Sequence, residues 1–156
     1  MSFTLREMSS RDGAALGELI DASPDSGAIQ VSPRIFIDTV AYLTAEPGTV
    51  GVVATHPDHD GLVGAGLVTL LDVRLAGGIH RAAYLSSLVV HPSVRRQGLA
   101  TQSARWRIDH AQATAGKDVI VFANIQAGNT GSTANARKWA THITGAVDVV
   151  PARTLN

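Results

Sequence analysis

The stretch Val90-His91-Pro92-Ser93-Val94-Arg95-Arg96-Gln97-Gly98-Leu99-Ala100 constrains the fold more than any other part of the chain. The apolar run Leu88-Val89-Val90 suits a buried strand, Pro92 stops it, and the basic residues turn the chain. From Gly98 to about Ala115 no proline or internal glycine follows, so the turn opens a helix with Leu99, Ala104, Trp106, Ile108 and Ala111 as apolar positions. Strand, tight turn and helix in direct succession are the grammar of a mixed α/β or α+β domain.

The flanking sequence extends that grammar. Residues 5–8 read as a short strand, after which Ser9 or Ser10 caps a helix with Leu16, Leu19 and Ile20 on one face, weakened by Gly13 and Gly17. Residues 22–27 are turn chemistry, and Ser32-Pro33 reads as a cap and first turn of a second helix through Leu43. Residues 49–55 and 62–75 are β-rich runs joined by the turn His56-Pro57-Asp58-His59-Asp60-Gly61. Gly77-Gly78 turns into residues 81–90, where Tyr84, Leu88, Val89 and Val90 suit a largely buried strand, giving three antiparallel strands in succession. Beyond the long helix, Val119-Ile120-Val121-Phe122 suits a buried strand, residues 127–131 a loop, and Ser132 the cap of a helix to about His142. Trp139 reads as core, and residues 147–150 as a final strand fragment.

At 156 residues the chain is the size of a single domain, residues 1–156, with no internal repeat. Lys plus Arg and Asp plus Glu both count 13, so no global field recommends nucleic acid or an anionic membrane, and any anion site must be local. No window approaches the roughly 18 apolar residues of a membrane span. The N-terminus lacks the pattern of a secretory signal, which makes the cytoplasm the expected location. With no cysteine there is no thiolate nucleophile, and His56-x-Asp58-His59-Asp60 crowds into a turn and reads as solvated rather than metal-binding.

The local anion site is the turn itself. The first amides of a helix lack intrahelical acceptors, the dipole adds to their pull, and Gly98 permits close backbone approach. Arg95 and Arg96 add charge-assisted contacts to a diphosphate. The residues alone equally allow an exposed basic turn with an ordinary glycine.

A resemblance tips that balance. Arg95, Gly98 and Ala100 match [Gln or Arg]-x-x-Gly-x-[Gly or Ala], the coenzyme A signature of the GNAT superfamily of N-acyltransferases, and Leu88-x-Val90-x-Pro92 matches the strand before it. Downstream, the segment from Phe122 to Ser132 resembles the family's strand, loop and Asn-x-x-Ser opening of a helix. The resemblance implies a mostly antiparallel central sheet flanked by helices and splayed between the fourth and fifth strands. It implies acetyl-CoA as co-substrate and an amine-bearing acceptor. The main chain of Leu88 and Val90 would pair with the pantetheine arm, and Arg95, Arg96, Gln97, Gly98, Leu99 and Ala100 would hold the diphosphate. Asn129 and Ser132 would meet the arm from the other side.

The chain departs from the family in three places. The tyrosine expected about seven residues beyond the asparagine, which protonates the departing thiolate, is Ala136. The glutamate base of several members falls at Tyr84, and a phenol, with an ordinary pKa of about 10, is a poor base at neutral pH. Ser86 and Ser87 are the alternative, holding a water that relays the amine proton. The family's closing strand pair is incomplete here, which implies either a shortened chain or a second copy that completes the sheet as a homodimer. A non-catalytic acyl-CoA-binding or sensing domain is the chief rival, and a nucleotide-phosphate binder lacks both a Walker pattern and Gly-x-Gly-x-x-Gly. Residues 22–32 and 71–80 are the expected walls of the acceptor groove.

Overall fold

A computed structural model describes residues 2–24 and 37–145. Strand β1 (Thr4–Glu7) leads through a 3-10 turn (Ser10–Asp12) into helix α1 (Gly13–Ala22), and α2 (Thr39–Leu43) follows. Then come β2 (Thr49–His56), β3 (His59–Leu75), β4 (Gly78–Val90), a 3-10 turn (Pro92–Val94), α3 (Leu99–Ala115), β5 (Ile120–Phe122) and α4 (Thr130–Ala136). The five strands form one sheet in chain order; β1 through β4 are antiparallel, and β5 joins β4 in parallel. The mixed class and mostly antiparallel sheet expected from the sequence are what form.

Apolar residues line both faces of the sheet. One cluster gathers Met8, Leu16, Leu19, Val40, Val53, Leu62, Ala65 and Leu67 beneath α1 and α2. A second places Val68, Leu70, Ala83, Leu85, Ala111 and Val119 beneath α3, and Trp139 packs against it as core. A third, of Phe3, Ala54, Val63, Val94 and Leu99, pins the turn before α3 to the sheet.

Four local expectations need correction. A continuous helix from Ser32 to Leu43 is broken at Asp38, whose carboxylate accepts the Ala41 amide at 2.9 Å and caps α2 there. Residues 25–36, including Ser32-Pro33, lie outside the described residues. Helix α4 is capped by Asn129, which accepts the Ser132 amide at 3.0 Å, so Ser132 lies inside the first turn; the helix stops at Ala136, well short of His142. Its sequence of Thr, Gly, Ser and Asn propagates poorly. In α3 the buried stripe is Leu99, Ser103, Ala104, Arg107 and Ala111; Trp106 is only half-buried, stacked on His110. Finally, Leu88, Val89 and Val90 are half-buried, because among the described residues no strand covers one side of β4 there. The expected strand at residues 147–150, and any completion of the sheet by a second copy, fall outside the described residues.

At the start of the chain Asp12 is buried and accepts from both terminal guanidinium nitrogens of Arg6, at 2.6 and 2.8 Å, and from the Ser9 amide at 2.7 Å. The Arg6 hydrogen bond holds its carboxyl well below the usual carboxylate range. This pairing ties β1 to the start of α1 and has no part in the site below.

Candidate functional site

The site is built on β4, whose two halves have different neighbours. Residues Ala82, Ala83 and Tyr84 pair with β3 on one side and with Ile120, Val121 and Phe122 of β5 on the other. β5 then ends, and from Leu85 to Val90 no strand pairs with the second edge of β4 among the described residues. The sheet therefore opens as a fork, with Tyr84 at its base and its ring stacked on Phe122 at 5.1 Å between centroids.

Within the open half the register with β3 breaks. Ala65 faces Val89 and Leu67 faces Ser86, so Gly66 alone opposes both Ser87 and Leu88. This is a β-bulge, and Ser87 takes a left-handed φ of 49° to accommodate the extra residue. The bulge swaps the faces of β4. Val89 packs into the α1 cluster, whereas Leu85, an even number of residues before it, packs into the α3 cluster.

Past Val90 the chain is fastened before it turns. The His91 amide donates to the Val63 carbonyl at 2.9 Å, and Val94 is buried as an anchor. Arg95 Nε donates to the Val90 carbonyl at 3.1 Å, and Gln97 Nε2 to the Ser93 carbonyl at 3.2 Å. Arg96 and Gly98 are left-handed, with φ of 64° and 90°. Gly98 caps α3 and brings no side chain to its first amides; the Thr101 and Gln102 amides reach the Gly98 carbonyl, which leaves those of Leu99 and Ala100 without intrahelical acceptors. Arg95, Arg96, Gln97 and Gly98 are exposed, while the Leu99 side chain is fully in the core, so only its amide is available to a ligand.

Nearby, the His91 and His59 rings meet edge to face at 4.4 Å. Desolvation lowers the His91 pKa, with the charges of His59 and Arg95 acting in the same direction.

The far wall is α4. Thr101, in the first turn of α3, donates to buried Asn135 at 3.1 Å and accepts Lys138 Nζ at 3.4 Å, so α4 docks against the helix start that carries the basic turn. A cavity of about 210 Å3 beside α4 is lined by Gly128, Asn129, Thr130, Thr133, Ala134 and Arg137. Asn129 therefore borders the cavity, and Ser132 does not. Lys138 thus brings a positive charge to the first turn of α3, the helix that exposed Arg95 and Arg96 precede.

The residues expected to carry proton transfer are less well equipped. Tyr84 is half-buried, and its hydroxyl makes no hydrogen bond among the described residues. Ser86 is half-buried and Ser87 is the exposed bulge residue; neither hydroxyl is hydrogen-bonded among the described residues. Ala136 is buried and has no hydroxyl to offer. Sequence reasoning missed Thr101, Asn135 and Arg107, and for the last the signal was its spacing of three and four residues from Ala104, Ser103 and Ala111.

The family model of the acetyltransferase (GNAT) family matches residues 18–140. Among solved structures, similar folds include a ribosomal-protein-alanine N-acetyltransferase from Brucella melitensis biovar Abortus 2308, 15% identical, with a TM-score of 0.75 over 99% of this chain and 100% of that one. An aminoglycoside 6'-N-acetyltransferase from Acinetobacter baumannii, 15% identical, scores 0.74 over 98% and 99%. AAC(6')-Iy, solved with the bisubstrate analogue CoA-S-monomethyl-acetylneamine, is 15% identical and scores 0.73 over 99% and 100%. No curated protein matches the sequence. These identities speak for the fold alone, and it is the family model, matched over most of the length, that shows the chain to belong to the acetyltransferase (GNAT) family.

Proposed function

We propose that the chain is an N-acetyltransferase that moves an acetyl group from acetyl-CoA to an amine of a small molecule, peptide or protein by direct attack in a ternary complex. The observation that carries this reading is the edge of β4 from Leu85 to Val90, free of a strand partner among the described residues and running straight into the basic, left-handed turn of α3. An extended pantetheine has two amides and complements such an edge as an added strand would. The main chain of Leu88 and Val90 serves as its partner, and the amides of Leu99 and Ala100 take the diphosphate together with Arg95 and Arg96. Each well-placed contact to a charged group contributes about 1.5–3 kcal/mol. Gln97 holds the turn through Ser93, and Asn129 presents the opposite wall.

Acetyl-CoA supplies an activated thioester: the amine nitrogen bonds to the carbonyl carbon, the carbon–sulfur bond breaks, and the proton shed by nitrogen balances the one gained by sulfur. The chain contributes positioning, since a fixed edge holds one reactant beside the other, and an amide at the bulge polarises the carbonyl. Ser86 and Ser87 hold the water that carries the proton, and Tyr84 packs the base of the fork.

A second reading, a non-catalytic acyl-CoA-binding or sensing domain, is favoured by Ala136 standing where a proton donor would be. Thiol release from acetyl-CoA across a broad amine panel, run beside a thermal-shift titration with CoA, separates the two. Amine-dependent thiol release supports the transferase. Stabilisation by CoA with no release for any amine favours the binding domain, and no stabilisation at millimolar CoA overturns both.

A further inference from the structure

Arg107 presents an anomaly that neither packing nor the site described so far explains. It lies on the inner stripe of α3, 2% exposed, between Leu99, Ala104 and Ala111, where an apolar side chain is the ordinary occupant. Burial lowers its pKa to about 10, so it still carries its charge at neutral pH. Such a charge is costly to hold out of water unless its donors are satisfied. Among the described residues no carboxylate pairs with it, and its hydrogen-bond partners are all main-chain carbonyls. Nε donates to Ser103 at 3.1 Å, and one terminal nitrogen, Nη1, donates to Leu67 at 3.1 Å and to Ser86 at 3.2 Å.

Those last two carbonyls locate the purpose. Leu67 and Ser86 are the facing pair at which the β3–β4 register breaks, and the next residue, Ser87, is the strained one. The guanidinium reaches them because Gly66, opposite the bulge, has no side chain. A Cβ there would stand 3.0 Å from Arg107 Cζ, 3.1 Å from Nη1 and 3.1 Å from Ser103 Oγ. A single planar cation thus bridges the two strands where their ladder fails, and anchors that junction to the helix whose first turn carries the basic loop.

We infer that Arg107 is a positioning residue for acyl transfer: by clamping the carbonyls of Leu67 and Ser86 over Gly66, it fixes the bulge and so aims the amides of Ser87 and Leu88 at the thioester. The inference rests on the proposed function, which runs the pantetheine arm along this edge, and it adds the device that sets the direction of the edge amides.

The test compares wild type with Arg107→Met, which keeps an apolar stem and removes every donor, and with Arg107→Lys, which restores charge and a donor. CoA affinity, the scalar coupling that reports φ of Ser87, and the carbonyl stretch of bound carbonyl-13C acetyl-CoA are measured for each. The Met variant is expected to bind CoA within about threefold of wild type, to lose the left-handed coupling at Ser87, and to return the carbonyl band towards that of free acetyl-CoA. With any amine that turns over, kcat falls about a hundredfold at nearly constant KM, as expected when geometry and not binding is lost, and Lys recovers part of it. A folded Met variant with Ser87 and the carbonyl band unchanged overturns the inference. If the Met variant does not fold, Gly66→Ala pushes on the same guanidinium from the strand side and should give the same band shift; an unshifted band there overturns it equally. Failure of the wild type to bind CoA overturns the site reading, and this inference with it, before any variant is compared.

Discussion

The two halves of β4 share one strand but meet different surroundings. The first half, at Ala82 and Ala83, is fully buried and paired on both edges; the second, from Ser86 to Val90, is half-exposed, bulged and, among the described residues, paired on one edge only. Both halves contain residues that favour strands, so propensity does not distinguish them. What differs is the neighbour: β5 contributes three residues and leaves, and among the described residues no strand covers the edge at the apolar Leu88 and Val90. A hydrophobic strand edge that ends in a cluster of cations is a poor place to stop a sheet and a good place to add an extended, anionic ligand. On the proposed function the closed half holds the fold together and the open half takes the ligand, and each part can be broken separately.

The largest effect is expected at the end of the open half. Gly98→Glu places a carboxylate in front of the first amides of α3 and should abolish stabilisation by CoA. In wild type that stabilisation is about 2.7 kcal/mol at a hundredfold excess over the dissociation constant, or about 5–10 °C in Tm. Gly98 has a φ of 90°, and a Cβ there would meet only Gln102 Nε2, at an ordinary contact distance of 4.0 Å, so a Cβ strains the backbone without a clash. Gly98→Ala carries that strain without the charge and should keep most of the shift. If the two variants behave alike, strain and not the phosphate path explains the loss; if Glu binds as well as wild type, the turn is not the site.

Smaller losses should divide the two arginines. Arg96 makes no hydrogen bond among the described residues, so Arg96→Ala should weaken CoA about tenfold and leave pantetheine untouched. Arg95 also holds the Val90 carbonyl, so Arg95→Ala should weaken CoA and, to a lesser degree, pantetheine, by loosening the end of the edge. Isothermal titration with both ligands checks this. Equal losses for both ligands in Arg96→Ala would move that side chain away from phosphate.

The closed half should respond in the opposite sense. Phe122→Ala removes the ring stacked on Tyr84 where β5 leaves, and should cost about 1–3 kcal/mol of stability. The upward shift of Tm on adding CoA should nevertheless match wild type, because no proposed ligand contact is lost. A variant of normal stability that no longer responds to CoA would show that the fork and the open edge are one unit.

How legible this division was depends on which residue types mark it. The turn could be read in the sequence because Pro92 and Gly98 announce their backbone conformations, and the structure places both where those conformations are needed. Arg96 and Ser87, equally left-handed, carry no such mark, since nothing in an arginine or a serine announces a positive φ. The bulge left only a faint trace, two serines interrupting an apolar run. Ser132 against Asn129 was a contest between equally good caps. For α4 the outcome fits its docking, which hangs on the distant contact from Thr101 to Asn135. Arg107 was hidden for a different reason: an arginine in a helix reads as solvent-facing, and only the pairing of β3 with β4 creates the carbonyls that admit it.

The smallest expected effect lies at the junction of the two halves. Tyr84 occupies the position of a catalytic base by resemblance, yet its ring is stacked on Phe122 and its hydroxyl makes no hydrogen bond among the described residues. If proton transfer runs through water held by Ser86 and Ser87, Tyr84→Phe keeps the stack, loses only the hydroxyl, and should lower kcat by about tenfold or less. General acid–base groups contribute about a hundredfold to ten-thousandfold, so the two outcomes do not overlap. The measurement needs an amine that turns over, together with CoA affinity and Tm to show that the site and fold are intact. A thousandfold loss with both preserved would make the Tyr84 hydroxyl catalytic, discard the water relay, and turn the junction from a packed corner of the fold into part of the reaction centre.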